Sequence, residues 1–255
     1  INTTVSLDPK EEKTIVFALG CSMSDKENLR LIAKYTDIAN AKKELKIIKD
    51  EWAKTLGTVK VKSPDASFDY MVNGWYLYQT LSSRIFAKSG FYQVSGAFGY
   101  RDQLQDSLNV AMIKPDYARQ QILINAAHQF PEGDVCHWWH EKNRFGLRSK
   151  YKDDYLWLVY ATLHYMEITK DYSILDEQVP YVMGDTLSEY ESEKGMVFYY
   201  SDYTETLLEH CIKSLQLSMH SLGRHKIPLM GGGDWNDGMN KVGIKGKGES
   251  VWLGY

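Results

Sequence analysis

The chain divides, by its pattern of apolar and polar positions, into a short apolar stretch, a charged helix and a long helical region. Residues 14–19 are apolar and partly β-branched, follow a charged segment and end at Gly20, which predicts a β-strand. Farther on, apolar side chains recur at three- and four-residue steps among lysines and glutamates, which predicts an amphipathic helix. They are Ile38, Ala41, Leu45, Ile48, Trp52 and Leu56. Their narrow stripe is typical of a linker helix lying against a larger body.

From Ser63 onward the pattern predicts one helix after another. Ser63-Pro64-Asp65 has the composition of a helix start, with a capping hydroxyl, an early proline and an acid. Apolar positions Met71, Trp75, Tyr78 and Leu81 then follow on one face. Further helices are predicted at Gln103–Ile113, Pro115–His128, Asp154–Thr169 and Thr204–Leu222. No internal repeat is visible, which argues against a solenoid, so successive helices with long polar and aromatic loops favour an α/α toroid.

Composition narrows the classes of partner. The 255 residues suffice for a sizeable core, and the 18 tyrosines and 7 tryptophans favour a carbohydrate-binding interior. A net charge of −3 gives no reason to expect nucleic acid or an anionic membrane surface as a partner.

Cysteine usage and the chain start bear on location and completeness. Cys21, Cys136 and Cys211 are few, odd in number and widely spaced, which is typical of reduced thiols in a cytoplasmic protein. No apolar run approaches transmembrane length, and no signal-peptide pattern opens the sequence. Because the first residue is Ile1 rather than methionine, we expect this stretch to begin inside a longer chain.

The most informative stretch is the glycine-rich segment 231–240, GGGDWNDGMN. Three successive glycines favour a turn, on which Trp235 and Asp237 can project into a cavity. An indole face beside a carboxylate suits a sugar ring, which has an apolar face and a belt of hydroxyls. A phosphate-binding P-loop would need a following Lys-Ser/Thr, and a calcium loop would need glycine one position later than Gly238 and glutamate in place of Lys245. A purely structural turn remains an alternative.

Two acidic stretches at helix starts have both a structural and a functional interpretation. Residues 95–106 place Arg101 and Asp102 at the start of a helix, where Asp102 and Asp106 could simply favour the helix dipole. Residues 152–158 place Asp153 and Asp154 before an apolar helix, which is most simply an N-cap.

The segment 129–140 mixes acids, histidines and adjacent tryptophans. His137 and His140 are three positions apart, but no third ligand has a recognisable spacing, so we predict no metal site. The adjacent Trp138 and Trp139 cannot both face one core from a regular strand or helix, so at least one is expected in a site.

These motifs, taken in order, resemble glycoside hydrolase family 94, the inverting β-glucoside phosphorylases. The resemblance rests on SGAFGYRDQLQD, HQFPEGDVCHWWHE, DDYLWL, IPLMGGGDWNDGMNKVG and GESVWLGY, and it extends from about Ser63 to Tyr255. GAFGYRDQLQD and PEGDV resemble the β-1,2-glucan branch, which contains oligoglucan phosphorylases and a region of cyclic glucan synthases. The cellobiose and chitobiose enzymes usually carry an arginine where Ser95 and Gly96 stand here, which argues against those substrates.

The resemblance implies a role for particular residues. Asp237 matches the general acid that protonates the glycosidic oxygen, and Asp102 matches a ligand to hydroxyls of the non-reducing glucose. Phosphate is the nucleophile in such an enzyme, so a second carboxylate to activate water is not needed. Further substrate-binding residues are expected at Arg101, Trp235, Trp138 and Asp234, and a phosphate-binding residue at Arg84.

The resemblance also implies an organisation. We expect a mainly α protein with residues 1–24 as the last strands of a β-sandwich, 25–62 as a helical linker and 63–255 as the first part of an (α/α)6 barrel. Glucooligosaccharide and inorganic phosphate are the expected partners, with no cofactor, and a homodimer is a candidate assembly. Such a piece is expected to be poorly soluble and inactive alone. The alternatives are a non-catalytic glucan-binding fragment and a phosphorylase-like domain of a cyclic β-1,2-glucan synthase.

Overall fold

The computed structural model describes residues 2–22, 24–86 and 96–255, which fall into two compact units, Ile1–Lys62 and Ser63–Tyr255. In the first unit, α1 (Asp25–Thr36) packs against α2 (Ile38–Leu56). The amphipathic pattern predicted α2, and the Asp37 side chain caps it by accepting from the Asn40 N–H at 2.7 Å.

The strand predicted at residues 14–19 is wrong. The described residues 2–22 contain no strand and form only a turn near Asp8. A strand is stabilised by hydrogen bonds to a neighbouring strand. Residues 2–22 form no second strand with which residues 14–19 could pair.

The second unit opens with a helix that changes geometry along its length. It consists of α3 (Ala66–Tyr70), a π-helical segment (Met71–Trp75), α4 (Tyr76–Gln79) and a second π-helical segment (Thr80–Phe86). Its cap is Asp65, which accepts from the N–H groups of the next turn, and not Ser63 as the sequence predicted. The wider π turns shift the predicted apolar face, so Leu81 is buried while Trp75 and Tyr78 stack on each other half-exposed.

Four longer helices pack together around the core of this unit: α5 (Tyr100–Val110), α6 (Pro115–Ala126), α7 (Asp154–Thr169) and α8 (Leu207–Met219). The sequence predicted all four. Local signals set their starts: a proline opens α6, and α8 begins with a capping box between Thr206 and Glu209. A short α9 (Val251–Gly254) lies near the end of the chain.

Two antiparallel sheets occupy regions that the sequence analysis treated as loops. One has the strand order β1 (Phe98–Gly99), β2 (Cys136–His140), β3 (Phe145–Ser149) and β5 (Glu193–Val197), and the other pairs β4 (Gln178–Met183) with β6 (Tyr199–Thr206). β6 takes up the residues that were predicted as the first turn of α8. Sheets were missed because their stability comes from distant partners rather than from local periodicity.

Strand β2 separates the two adjacent tryptophans. Trp139 is fully buried and stacks on His128 with ring centroids 3.9 Å apart. Trp138 is half-buried, and its ring contacts among the described residues are with His140 and Phe145. A register irregularity between Cys136 and Trp138 interrupts the alternation of side chains between the two faces of the sheet.

The three cysteines are unpaired in the structure, with Cys21 exposed and the other two buried. Within the described residues, no helix is both long and apolar enough to cross a membrane.

Candidate functional site

The glycine-rich loop is fixed to the segment that precedes α7. The N–H of Gly232 donates to the carbonyl of Lys150 at 2.9 Å, and the N–H of Lys152 donates to the carbonyl of Gly233 at 2.9 Å. Gly231 and Gly233 have φ values of +59° and +155°. A Cβ at Gly233 would lie 2.5 Å from the Tyr151 ring, so glycine is required where the two segments meet.

Asp234 shapes this loop. Its Oδ1 accepts from the Asn236 N–H at 2.9 Å and its Oδ2 from the Ser250 hydroxyl at 2.7 Å. Asp234 is buried, and both of its oxygens are engaged by protein groups. These contacts hold the loop in shape, and the substrate-binding role of Asp234 stays a prediction.

Arg101 connects the start of α5 to two distant acids. Its Nη2 donates to Asp237 Oδ1 at 2.5 Å, and its Nη1 lies 3.2 Å from both carboxylate oxygens of Asp153. We call Arg101, Asp153 and Asp237 the Arg101 cluster. Although burial opposes its charge, the surrounding carboxylates raise the pKa of Arg101, so it is a permanent cation.

The acids of the Arg101 cluster differ in exposure. The Asp153 side chain is buried and also accepts from the indole N–H of Trp157 at 3.2 Å. The Asp237 side chain, in contrast, is 49% exposed, and Oδ2 has no hydrogen-bond partner among the described residues. Asp237 is therefore the acid of this cluster that a ligand can reach.

The helix-cap interpretation of Asp153 is confirmed for its position but not for its side chain. Asp153 occupies the N-cap position of α7, but its side chain makes no capping hydrogen bond and is bonded to Arg101 instead. Burial, followed by the neighbouring Asp154, raises the pKa of Asp153 to about 7 against the lowering effect of Arg101. One guanidinium faces several carboxylates here, so it does not compensate all of them.

This raised pKa predicts that the free energy of unfolding decreases as pH rises from about 4 to about 7. Below pH 3.8, the ordinary pKa of an aspartate, Asp153 is protonated in both the folded and the unfolded protein. Between pH 3.8 and about 7, Asp153 is ionised in the unfolded protein but still protonated in the folded one, which favours unfolding. The decrease should amount to on the order of a few kcal/mol.

Chemical unfolding at about pH 5 and about pH 7.5 measures this effect. The decrease should be smaller in Asp153→Asn, while Asp202→Asn, at an exposed position on β6, should retain it. An equal decrease in the wild type and in Asp153→Asn would contradict the raised pKa.

His137 and Asp154 lie beside the Arg101 cluster, and the sequence analysis assigned them no function. His137 Nδ1 lies 2.7 Å from Asp154 Oδ2, and the imidazole stacks on Tyr151 with ring centroids 4.6 Å apart. Arg101 and Asp237 both act electrostatically on the His137 ring. A usable signal was present in the sequence, because a helix needs only one capping acid and two adjacent acids stand at the start of α7.

The remaining predicted site residues are placed as follows. Trp235 is 53% exposed on the glycine-rich loop, and Asp102 is half-buried next to Arg101 in the first turn of α5. Arg84 donates from Nε to both oxygens of Asp106 at 3.0 Å, so part of its charge is already neutralised. Ser95 lies outside the described residues, and Gly96 has a φ of +78°, which disfavours a side chain there.

No group of three or more potential metal ligands comes together in the part of the chain that the structure describes.

Comparison with known proteins identifies the family. Residues 51–255 match the catalytic domain of the glycosyl hydrolase 94 superfamily. The cyclic beta-(1,2)-glucan synthase NdvB of Rhizobium meliloti (strain 1021) is 41% identical over 99% of this chain and 9% of its own length. The solabiose phosphorylase of Paenibacillus borealis is 28% identical over 98% of the chain and 29% of its own length.

A third relative is the N,N'-diacetylchitobiose phosphorylase of Vibrio proteolyticus, which is 28% identical over 78% of the chain and 28% of its own length. The chain thus spans less than a third of the length of these three relatives. Since the family match covers more than half of the chain, this protein belongs to the glycosyl hydrolase 94 superfamily.

Proposed function

We propose that this chain carries the proton-donating part of a glycoside phosphorylase site. In this reaction phosphate attacks the anomeric carbon of a β-glucoside, the glycosidic bond breaks and α-glucose 1-phosphate forms with inversion. Asp237 gives its proton to the departing glycosidic oxygen. The helices α5 to α8 would belong to an (α/α)6 barrel, with the glycine-rich loop at its rim.

The observation that carries this proposal is the contact between Arg101 and Asp237. It joins the YRD and GDWNDG motifs, 136 positions apart, and leaves one carboxylate oxygen of Asp237 open to a ligand. The exposed Trp235, two positions away, offers an apolar face for a sugar ring.

The exposure of the acids favours phosphorolysis over hydrolysis. An inverting hydrolase needs a second accessible carboxylate to activate water. Of the described acids near Arg101, Asp153 and Asp154 are buried and bonded to protein groups, and the half-buried Asp102 is proposed below to contact the saccharide. Asp237 therefore acts as acid, and phosphate, which is already an anion, needs no base.

The proposed substrate is a β-1,2-linked glucooligosaccharide. Its support is the 41% identity to a protein named for β-1,2-glucan, together with Ser95 and Gly96 in the place where cellobiose enzymes are expected to carry an arginine. Trp138 and Asp102 are proposed to contact the saccharide, and Arg84 to contact phosphate together with other cations.

Incubation of the full-length protein with phosphate tests the substrate. We expect β-1,2-glucooligosaccharides to release α-glucose 1-phosphate, detected enzymatically, and cellobiose to release far less. The difference should reach tenfold or more, because a site that orients one linkage leaves hydrogen bonds unmade with the other, at roughly 1 kcal/mol or more each. Equal rates on cellobiose would reject the β-1,2 assignment but keep phosphorolysis.

A second candidate function follows from the same relative. The chain could serve as a domain that remodels β-1,2-glucan within a synthase, as the 41% identity over nearly the whole chain to NdvB suggests. That role predicts a change in glucan chain length without release of glucose 1-phosphate. Chromatography of the glucan beside the glucose 1-phosphate assay separates the two functions.

A further inference from the structure

The His137 ring is held on two sides. Its Nδ1 is 2.7 Å from Asp154 Oδ2, and its face stacks on the Tyr151 ring. Strand β2 carries His137, α7 begins with Asp154, and Tyr151 contacts Gly233 of the glycine-rich loop, so three elements fix the orientation of this imidazole.

Asp154 is almost fully buried, and its Oδ1 has no hydrogen-bond partner among the described residues. Burying a carboxylate with an unpaired oxygen is unfavourable unless a nearby cation compensates it. The imidazolium form of His137 supplies that charge directly.

The other ring nitrogen of His137 is open. Nε2 makes no hydrogen bond with the described residues and is not among the buried unpartnered atoms, and the side chain is 16% exposed. Because Nδ1 must carry a hydrogen to donate to Asp154, Nε2 carries one only in the imidazolium. A charged His137 therefore presents a single, fixed N–H donor.

We propose that His137 Nε2–H donates a hydrogen bond to a hydroxyl of the saccharide bound beside Asp237. The proposal deepens the phosphorylase function and rests on it. Arg101 already shares its guanidinium between Asp153 and Asp237, so another donor must meet the hydroxyl oxygens of a sugar. The surrounding carboxylates make the same position unfavourable for phosphate.

The charged groups around the ring are consistent with this role. Burial opposes the imidazolium and Arg101 does so too, whereas Asp154 and Asp237 favour it, and the net result is a raised pKa for His137. Tyr151, which is also titratable, stacks against the ring. The donor is thus retained to a higher pH than in an ordinary histidine and is lost as pH rises through the raised pKa.

Calorimetric binding of a β-1,2-linked glucose disaccharide tests the donor. Wild-type affinity should fall between about pH 6 and about pH 9, and His137→Phe should bind roughly tenfold or more weakly at the lower pH. His137→Gln, which can donate without titrating, should bind with little pH dependence. The exposed His220→Gln is the matched control and should behave as the wild type.

Full affinity in a folded His137→Phe variant, or a wild-type affinity that does not change with pH, would overturn the assignment. Thermal melting of each variant shows whether it is folded.

Nitrogen-15 NMR of the histidines in the unmutated protein provides a test that does not depend on variant folding. The disaccharide should move the Nε2 resonance of His137 and raise its pKa, while inorganic phosphate alone should do neither. A disaccharide that quenches tryptophan fluorescence but leaves His137 unchanged would refute this inference and retain the proposed function. Absence of any disaccharide binding would reject both, and a response to phosphate alone would reject the saccharide assignment.

Discussion

In the full-length protein, replacing Asp237 by asparagine is expected to lower the rate of phosphorolysis by about 10²–10⁴-fold while the protein remains folded. Asparagine matches the shape of the side chain but has no proton to give to the glycosidic oxygen. The synthetic direction should be lost by the same factor, because the group that donates the proton in one direction removes it in the other. Release of glucose 1-phosphate measures the effect.

Stability should change little in this variant. The Asp237 side chain is about half exposed, so the contribution of its ion pair to folding is screened and amounts to about 1 kcal/mol or less. Asp202→Asn on β6, also exposed, serves as the matched control for both activity and melting temperature.

An activated substrate separates proton transfer from binding. In a dinitrophenyl β-glucoside, the dinitrophenolate leaving group departs without protonation. Asp237→Asn should therefore lose much less activity on this substrate than on a natural disaccharide. Near-normal phosphorolysis of the disaccharide by Asp237→Asn would show that another group is the acid. An equal loss on both substrates would point to a binding role for Asp237.

Replacing Arg101 by methionine is expected to destabilise the protein by about 3–5 kcal/mol and to abolish activity. Arg101 and Asp153 are both buried, and above about pH 7, where Asp153 is ionised, the variant leaves its carboxylate in the interior without its cation. Loss of the Nη2 contact also releases Asp237 from its orientation. Unfolding in denaturant measures the first effect and glucose 1-phosphate release the second.

Two further variants are needed to interpret the effect of Arg101→Met. Arg119→Met is the matched control, because Arg119 also bridges two acids, Asp171 and Glu177, but at the surface, where the loss should be about 1 kcal/mol or less. The double variant Arg101→Met/Asp153→Leu should recover most of the stability, since an apolar pair can replace a buried ion pair, but none of the activity. Recovery of activity would exclude a role for Arg101 in orienting Asp237.

The four long helices of the second unit could be predicted because their signals are local. The apolar spacing of α7 identified Asp154–Thr169, and Pro115 marked the first residue of α6. Cap positions were less certain, since several polar residues compete at a helix start. Asp65 caps α3 where Ser63 was predicted, and Asp153, predicted as a cap, bonds to Arg101.

The motifs themselves were sufficient to identify the family, and they led to the prediction that Asp237 is the acid. A glycine turn that carries an aromatic residue and an acid can be predicted from local sequence alone. Glycine is needed wherever the backbone has positive φ or approaches another segment closely. The same reading selected Asp234, whose carboxylate the structure shows bonded within the loop.

Other features depend on contacts between residues far apart in the chain, and only the tertiary structure decided them. The strands β2 to β6 need partner strands that cannot be identified from the periodicity of apolar residues. Arg101 meets acids 52 and 136 positions away, and His137 meets Asp154 only because β2 passes the start of α7. Sequence thus determined which side chains are available for chemistry, and packing determined which acid is buried beside a cation and which is left open to a ligand.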